Sequence, residues 1–302
     1  MPAGEVFVPA RITKVQTIDP DEIRLVEVTL PETHELAGTL YQIRDGMHPG
    51  NAFLARPMGG RTAKLRRRMY TRSNASLTAP HVLETIINHT HEPRADTSIW
   101  WQTEEVDRLH YEGGTIDIRL NINPDGVHLE VFENSLQDAE KNLRLEPDDR
   151  WPTMRYVAVA LGTGITPFLA YLDYMQALRF GRPDHSPGCR LTLIASVRHY
   201  GQLMEHERLL ELERRFPDNF RYYPILTRQW PTDWPYGKGR IVRMSEGCEG
   251  SRHIDLTRLL EIVPDVADSH LRMCGNALCR DEIILGLQQH SIEVLSFRSE
   301  VW

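Results

Sequence analysis

Three groups of residues could carry chemistry, and the first is a turn. In the stretch LGTGITPF, residues 161–168, an apolar β-branched run ends on Gly162 and Gly164 and passes through Pro167 into residues of helical period. Glycines there let the backbone come close to a ligand, and proline suits the first turn of a helix. A helix start presents N–H groups and the positive end of its dipole, so the chemistry expected is the holding of an anion such as a phosphate. Gly162, Thr163, Gly164 and Thr166 are the candidate contacts. No Gly-Lys-Ser/Thr follows, which excludes a P-loop, and Phe168 stands where the last glycine of a dinucleotide GxGxxG would fall. Taken alone, the turn fits a purely structural bend equally well.

The second group closes later apolar runs. An acidic residue at the end of the second strand would hold the ribose 2′-hydroxyl of NAD. Here LIASVRHYG offers Ser196, Arg198 and His199 instead, PILTRQW adds Thr227 and Arg228, and GKGR adds Lys238 and Arg240. Hydroxyls and guanidiniums suit a 2′-phosphate through charge-assisted, often bidentate bonds. NADP is therefore favoured over NAD; the alternative is that these are solvated loop charges. The third group is RTAKLRRRMYTR, with six Lys or Arg within 61–72 on a chain of formal net charge -7. That overall acidity argues against nucleic-acid binding, as does the lack of interleaved aromatics. Arg66, Arg67 and Arg72 could face a phosphate, form a docking rim for an acidic partner, or line a solvated strand face.

These side chains need a scaffold, and the two halves of the chain promise different ones. In the first, VFVPARITKVQTI, IRLVEVTL, IIN, SIWWQ and TIDIRLNI are short β-type segments separated by turn residues, which suggests an antiparallel barrel or sandwich. The one helix expected there is HLEVFENSLQDAEKN, 128–142. In the second, strands expected at Tyr156–Leu161, Leu191–Val197, Phe220–Leu226, Leu271–Cys274 and Glu293–Phe297 alternate with helices at Pro167–Leu178, Glu205–Phe216, Asp255–Ile262 and Ala277–His290. Such alternation means βαβ units and a parallel sheet. The grammar changes near RLEPDDRWPT, 144–153, placing the domains at 1–150 and 151–302. At 302 residues, two domains of ordinary size fit. No apolar run approaches a bilayer span, MPAGEVFVPA lacks a signal-peptide core, and the four cysteines have no metal-ligand spacing. The expectation is a reduced cytoplasmic enzyme with no membrane insertion and no protein-bound metal.

Four separated pieces resemble the ferredoxin–NADP(+) reductase family. GTGITPF resembles its pyridine-nucleotide loop, RMCGNALCRDEI its Cys-Gly-Asn segment, RRMYTRS its Arg-x-Tyr-Ser/Thr flavin motif, and SEVW its Glu-x-aromatic ending. The resemblance implies an N-terminal antiparallel β-barrel that binds FAD and a C-terminal α/β domain, with a parallel sheet, that binds NADP(H). It further implies hydride transfer between the two cofactors and single-electron exchange with ferredoxin or flavodoxin. By the same resemblance, Arg68 pairs with the FAD pyrophosphate, Tyr70 lies against the isoalloxazine and Thr71 hydrogen-bonds near flavin N5. Cys274, with Gly275 and Asn276 beside it, sits where nicotinamide meets flavin; Glu300 relays protons or settles the nicotinamide, and Trp302 covers the flavin. The implied catalytic set is Thr71, Cys274, Glu300 and Trp302. The family's second flavin motif, a Gly-x-x-Ser/Thr turn opening a short helix, is expected at PDGVHLEVFENSL, where Gly126 fits but Leu129 replaces the hydroxyl. The segment 76–114 is unusually long, and its Trp100 and Trp101 either stack on an adenine or pack into the core. Two further functions stay open: a reductase serving an oxygenase or another acceptor, and a non-enzymatic subunit that has lost FAD.

Overall fold

The computed structural model describes residues 5–20, 23–57, 66–88, 96–132, 143–145, 151–181, 188–246 and 252–301. The chain divides into two compact units, Met1–Leu136 with Leu169–Ala177, and Gln137–Phe168 with Leu178–Trp302.

The first unit is a curled sheet. Its strands are β1 (Glu5–Asp19), β2 (Ile23–Thr29), β3 (Thr33–Leu36), β4 (Thr39–Arg44), β5 (Ala52–Arg56), β6 (Arg68–Thr71), β7 (Val82–Asn88), β8 (Thr115–Ile122) and β9 (His128–Val131). Alternation drives the curl's inside: Val6, Val8, Ala10 and Ile12 of β1 are buried at every second position, as a sheet with one dry face requires. The antiparallel run goes β7–β2–β1–β8, and β8 passes the ladder on to β5 and β6. The two ends of the curl are bridged by the Ser73 N–H to the Glu84 carbonyl at 2.8 Å and by Thr85 Oγ1 to the Thr71 carbonyl at 2.7 Å. One arm departs from the antiparallel rule: β4 and β9 pair parallel, Gln42 opposite His128.

Two sequence expectations are corrected here. SIWWQ is no strand; its residues end α1 (Asp96–Trp101), which leads into α2 (Glu104–Glu112). The β-prone Ile-Trp-Trp run misled, while the acidic first turn of α2 and the left-handed Gly113 closing it are helix signals that were there to be read. Conversely, the helix expected over 128–142 starts as β9, whose Leu129 and Val131 are buried in the sheet's core; residues 133–142 lie outside the described residues.

The second unit is a parallel sheet ordered β13–β12–β11–β10–β16–β17. Its strands are β10 (Arg155–Leu161), β11 (Arg190–Val197), β12 (Phe220–Leu226), β13 (Gly237–Lys238), β16 (His270–Gly275) and β17 (Ser296–Val301), with a separate hairpin of β14 (Arg243–Glu246) and β15 (Arg252–Asp255). The helices of this half of the chain are α3 (Thr166–Ala177), which from Leu169 on is grouped with the first unit, α4 (His206–Arg215), α5 (Thr257–Ile262) and α6 (Ala277–Gln289). Each expected strand and helix of this half is present, with β17 beginning three residues later than Glu293. Near-continuous apolar strands such as Tyr156–Ala160, all buried, suit a sheet covered on both faces. The curled antiparallel sheet followed by a parallel α/β sheet is the ferredoxin-reductase-like architecture. Among the described residues no helix is long and apolar enough to cross a membrane.

Candidate functional site

In the second unit the glycine turn and the Cys274 segment come together at the C-terminal ends of neighbouring strands. β10 and β16 are parallel partners, Ala160 opposite Cys274. Gly162–Ile165 forms a 3-10 turn leading into α3. A Cβ on Gly164 would lie 2.1 Å from the Cys274 carbonyl oxygen, so only glycine lets the turn seat against β16. Gly275 has φ +140°, and a Cβ on it would stand 2.6 Å from the Leu161 Cβ. The two segments therefore need each other's glycines. Gly162, by contrast, faces open space with no neighbour within 4 Å of its Cβ direction, a cradle a side chain would fill. That fits a close-lying phosphate at the head of α3.

Cys274 is 1% exposed and its parallel partner in β17 is Glu300, itself half-buried. Burial, and then the Glu300 carboxylate, push the Cys274 thiol well above its ordinary value. A thiol held neutral is neither base nor nucleophile; it offers a small, uncharged wall. Asn276 caps α6, its side chain accepting from the N–H groups of Leu278 at 2.8 Å and Cys279 at 3.3 Å. Its amide oxygen is thereby committed to the helix, while the residue itself stays exposed. Trp302 lies outside the described residues.

The basic side chains expected to read a 2′-phosphate line up along the same sheet edge. Arg198 follows β11, Thr227 and Arg228 follow β12, and Lys238 and Arg240 end and follow β13, three adjacent strands. The loops are stitched together by the Arg228 N–H to the Arg198 carbonyl at 3.0 Å, and Arg258 donates to the carbonyls of both Lys238 and Arg240. The exposed Arg228 guanidinium makes no hydrogen bond or ion pair with the described residues. Two expected hydroxyl contacts are already engaged as donors, Thr227 Oγ1 to the Val197 carbonyl at 3.0 Å and Thr166 Oγ1 to the Thr163 carbonyl at 2.6 Å. Each has spent its proton and presents lone pairs. Ser196 is buried. A cleft of about 360 Å³ lined by Arg155, Arg190 and Arg221 sits at the opposite edge, where the strands begin; ligands of such sheets bind at the carboxyl ends.

In the first unit, Arg68, Tyr70 and Thr71 lie on β6, alternating across a short strand paired to β5. The Arg68 guanidinium is exposed, and its nearest partner among the described residues is the Arg67 carbonyl at 3.5 Å, the weakest of contacts. It is available to a phosphate. Arg67 is engaged by Glu5 at 2.8 Å. Arg72 faces neither a phosphate nor a partner: it is 1% exposed, forked onto Asp45 at 2.7 and 3.0 Å and donating to the carbonyls of Ala79 and Val82. It pins the chain leaving β6. Arg61 and Lys64 of the basic cluster lie outside the described residues.

Gly126 lies in the turn joining β8 to β9 and opens no helix, and Leu129 is a core residue of β9. The short helix that follows a strand after β6 is α1, after β7, and it carries half-buried Ser98. The helix position of Ser98 was hidden because SIWW has the composition of a strand. Trp100 and Trp101 are 2% and 1% exposed, members of the core and not of an adenine site.

Known proteins agree with this geometry in fold. The match covers residues 158–278, to a family model described as Oxidoreductase NAD-binding domain. Residues 158–278 are thus similar to an oxidoreductase NAD-binding domain, and the fold is ferredoxin-reductase-like. Among solved structures it is similar to the cytochrome P450 reductase GcoB of Amycolatopsis, with TM-score 0.64 and 18% identity, covering 100% of this chain and 71% of that one. It is similar also to the flavohem-like FAD/NAD-binding domain of nitric oxide dioxygenase from Vibrio cholerae, with TM-score 0.63, 12% identity and 99% of both chains covered. A ferredoxin NADP+ reductase from Neisseria gonorrhoeae with bound FAD and NADP gives TM-score 0.58 at 17% identity, with 98% of both chains covered. No curated protein sequence matches.

Proposed function

We propose that the protein is an FAD-dependent oxidoreductase that exchanges hydride with NADP(H) and single electrons with a ferredoxin or flavodoxin. The observation that carries this is the mutual seating of the glycine turn and the Cys274–Gly275 strand end, with Glu300 beside Cys274. FAD, when bound, supplies the step between a two-electron hydride donor and a one-electron acceptor. The residues supply placement. Gly162 and the head of α3 would receive the NADP pyrophosphate; Arg198, Arg228 and Arg240 would hold the 2′-phosphate; Arg68 would neutralise the FAD pyrophosphate with a hydroxyl from Ser98, and Tyr70 and Thr71 would hold the flavin ring. Neutral Cys274 would line the nicotinamide position without attacking the ring as a thiolate would, and Glu300 would hold a proton or the carboxamide. Rate then comes from holding the reacting atoms at near-attack distance with water excluded.

The acidic carrier rests on the family resemblance, since Arg68 is assigned to the FAD pyrophosphate and Arg67 is paired with Glu5. The competing acceptor is an oxygenase component. The test is turnover of the FAD-reconstituted full chain with NADPH or NADH against a ferredoxin, a flavodoxin, ferricyanide and a P450-type haem protein. NADPH-driven reduction of the small acidic carriers, weakening as salt rises, supports the proposal. Turnover with the haem protein alone reassigns the acceptor, and a protein that takes up no FAD refutes the enzyme.

A further inference from the structure

The segment carrying α1 and α2 fills the core of the first unit, and one of its side chains also reaches the residue expected to lie against the flavin. Trp101 is 1% exposed, and its indole N–H donates to the Tyr70 hydroxyl at 3.0 Å. The rings meet edge-on, centroids 6.1 Å apart and planes at 87°. An indole nitrogen can only donate, so Tyr70 Oη is obliged to accept. On its other flank Tyr70 meets its cross-strand partner Phe53, with ring centroids 6.0 Å apart. The aromatic ring is thus gripped from two sides.

Trp101 is itself held. Arg24 donates to the Trp101 carbonyl at 3.1 Å and forks onto Asp107 of α2 with two bonds of 3.0 Å. Trp100 packs against Trp101 with centroids 4.8 Å apart and donates its own N–H to Glu105 at 3.1 Å. The brace therefore runs from β2 through α2 and α1 to one phenol on β6. A half-buried tyrosine on a four-residue strand would otherwise choose among rotamers; here the choice is made before any ligand arrives, which lowers the ordering cost of binding.

We propose that Trp101 is a positioning residue for the flavin: acting through Tyr70, it sets the ring orientation and hydroxyl polarity that Tyr70 presents. This rests on the FAD assignment above. The test uses the full chain as W101F, Y70F and the double variant, with FAD affinity read by fluorescence titration. W101F keeps an aromatic ring and loses the donor, and should weaken FAD by about 2- to 10-fold, the net worth of one hydrogen bond. The double variant should bind FAD no more weakly than Y70F, because either change alone removes the bond. Costs that simply add overturn the inference. Ultraviolet resonance Raman on Y70F gives a reading independent of flavin and of whether W101F folds: one of the six indoles should lose its hydrogen-bonded N–H signature, and an unchanged band overturns the inference. A wild-type chain that takes up no FAD refutes the FAD assignment and this inference with it, whereas FAD uptake with additive costs refutes this inference alone.

Discussion

Arg228 and Cys274 show two opposite uses of charge in one sheet edge. The Arg228 guanidinium is exposed and uncommitted to the described residues, so Arg228→Ala should cost NADPH about 1.5–3 kcal/mol of binding, the worth of a charged hydrogen bond. Calorimetric titration should find NADH almost unaffected; equal losses for both nucleotides would remove Arg228 from the 2′-phosphate. Cys274 is the reverse, a group kept neutral. Burial raises the thiols of Cys189 and Cys274, and raises Cys279 to about 12, from an ordinary value of 9.0. Below pH 9.0 folded and unfolded thiols are alike protonated, and the stability is fully present. Above it the unfolded chain ionises first, so stability falls by up to about 1.4 kcal/mol per pH unit and buried thiol until the folded thiols ionise too. The urea midpoint should drop between pH 8 and 10, and Cys274→Ala should flatten part of that slope. An unchanged slope would mean Cys274 already ionises in the folded chain. The strand-end positions of these candidate residues were legible because each closes a clear apolar run. What was not legible is which hydroxyls are engaged: nothing in PILTRQW says that Thr227 donates to the carbonyl of Val197.

Among elements, the turn before α3 is the one whose geometry admits least change. Gly164→Ala would force a Cβ to within 2.1 Å of the Cys274 carbonyl, a backbone atom that cannot swing away. The substitution should cost about 1–3 kcal/mol of stability, typical of overpacking, and should weaken NADP(H) through displacement of the turn. Denaturant titration with and without NADP+ reads both, and a variant as stable and as tight as wild type would show that the turn does not seat on β16. The parallel sheet was readable because its strands are buried on both faces and separated by helices of clear period. The first unit was harder. A helix of six residues, Asp96–Trp101, is too short for a period to declare itself, and its Ile-Trp-Trp has the composition of a strand. The second flavin motif was expected at Gly126 because a helix was expected over 128–142, and that glycine lies instead in the turn of a hairpin.

In the proposed reaction each unit holds one cofactor, and hydride passes from one to the other. The fold supports that division, a curled sheet carrying Arg68, Tyr70 and Thr71 and a parallel sheet carrying the glycine turn, Cys274 and Glu300. The most direct measurement is anaerobic rapid mixing of the FAD-loaded chain with NADPH, followed in the visible flavin band. Bleaching is expected within a single turnover, slowed when NADPH carries deuterium at the transferred C4 position and much weaker with NADH at equal concentration. A flavin that stays oxidised with NADPH bound would rule out hydride transfer between the two cofactors, because both would then be held without reacting.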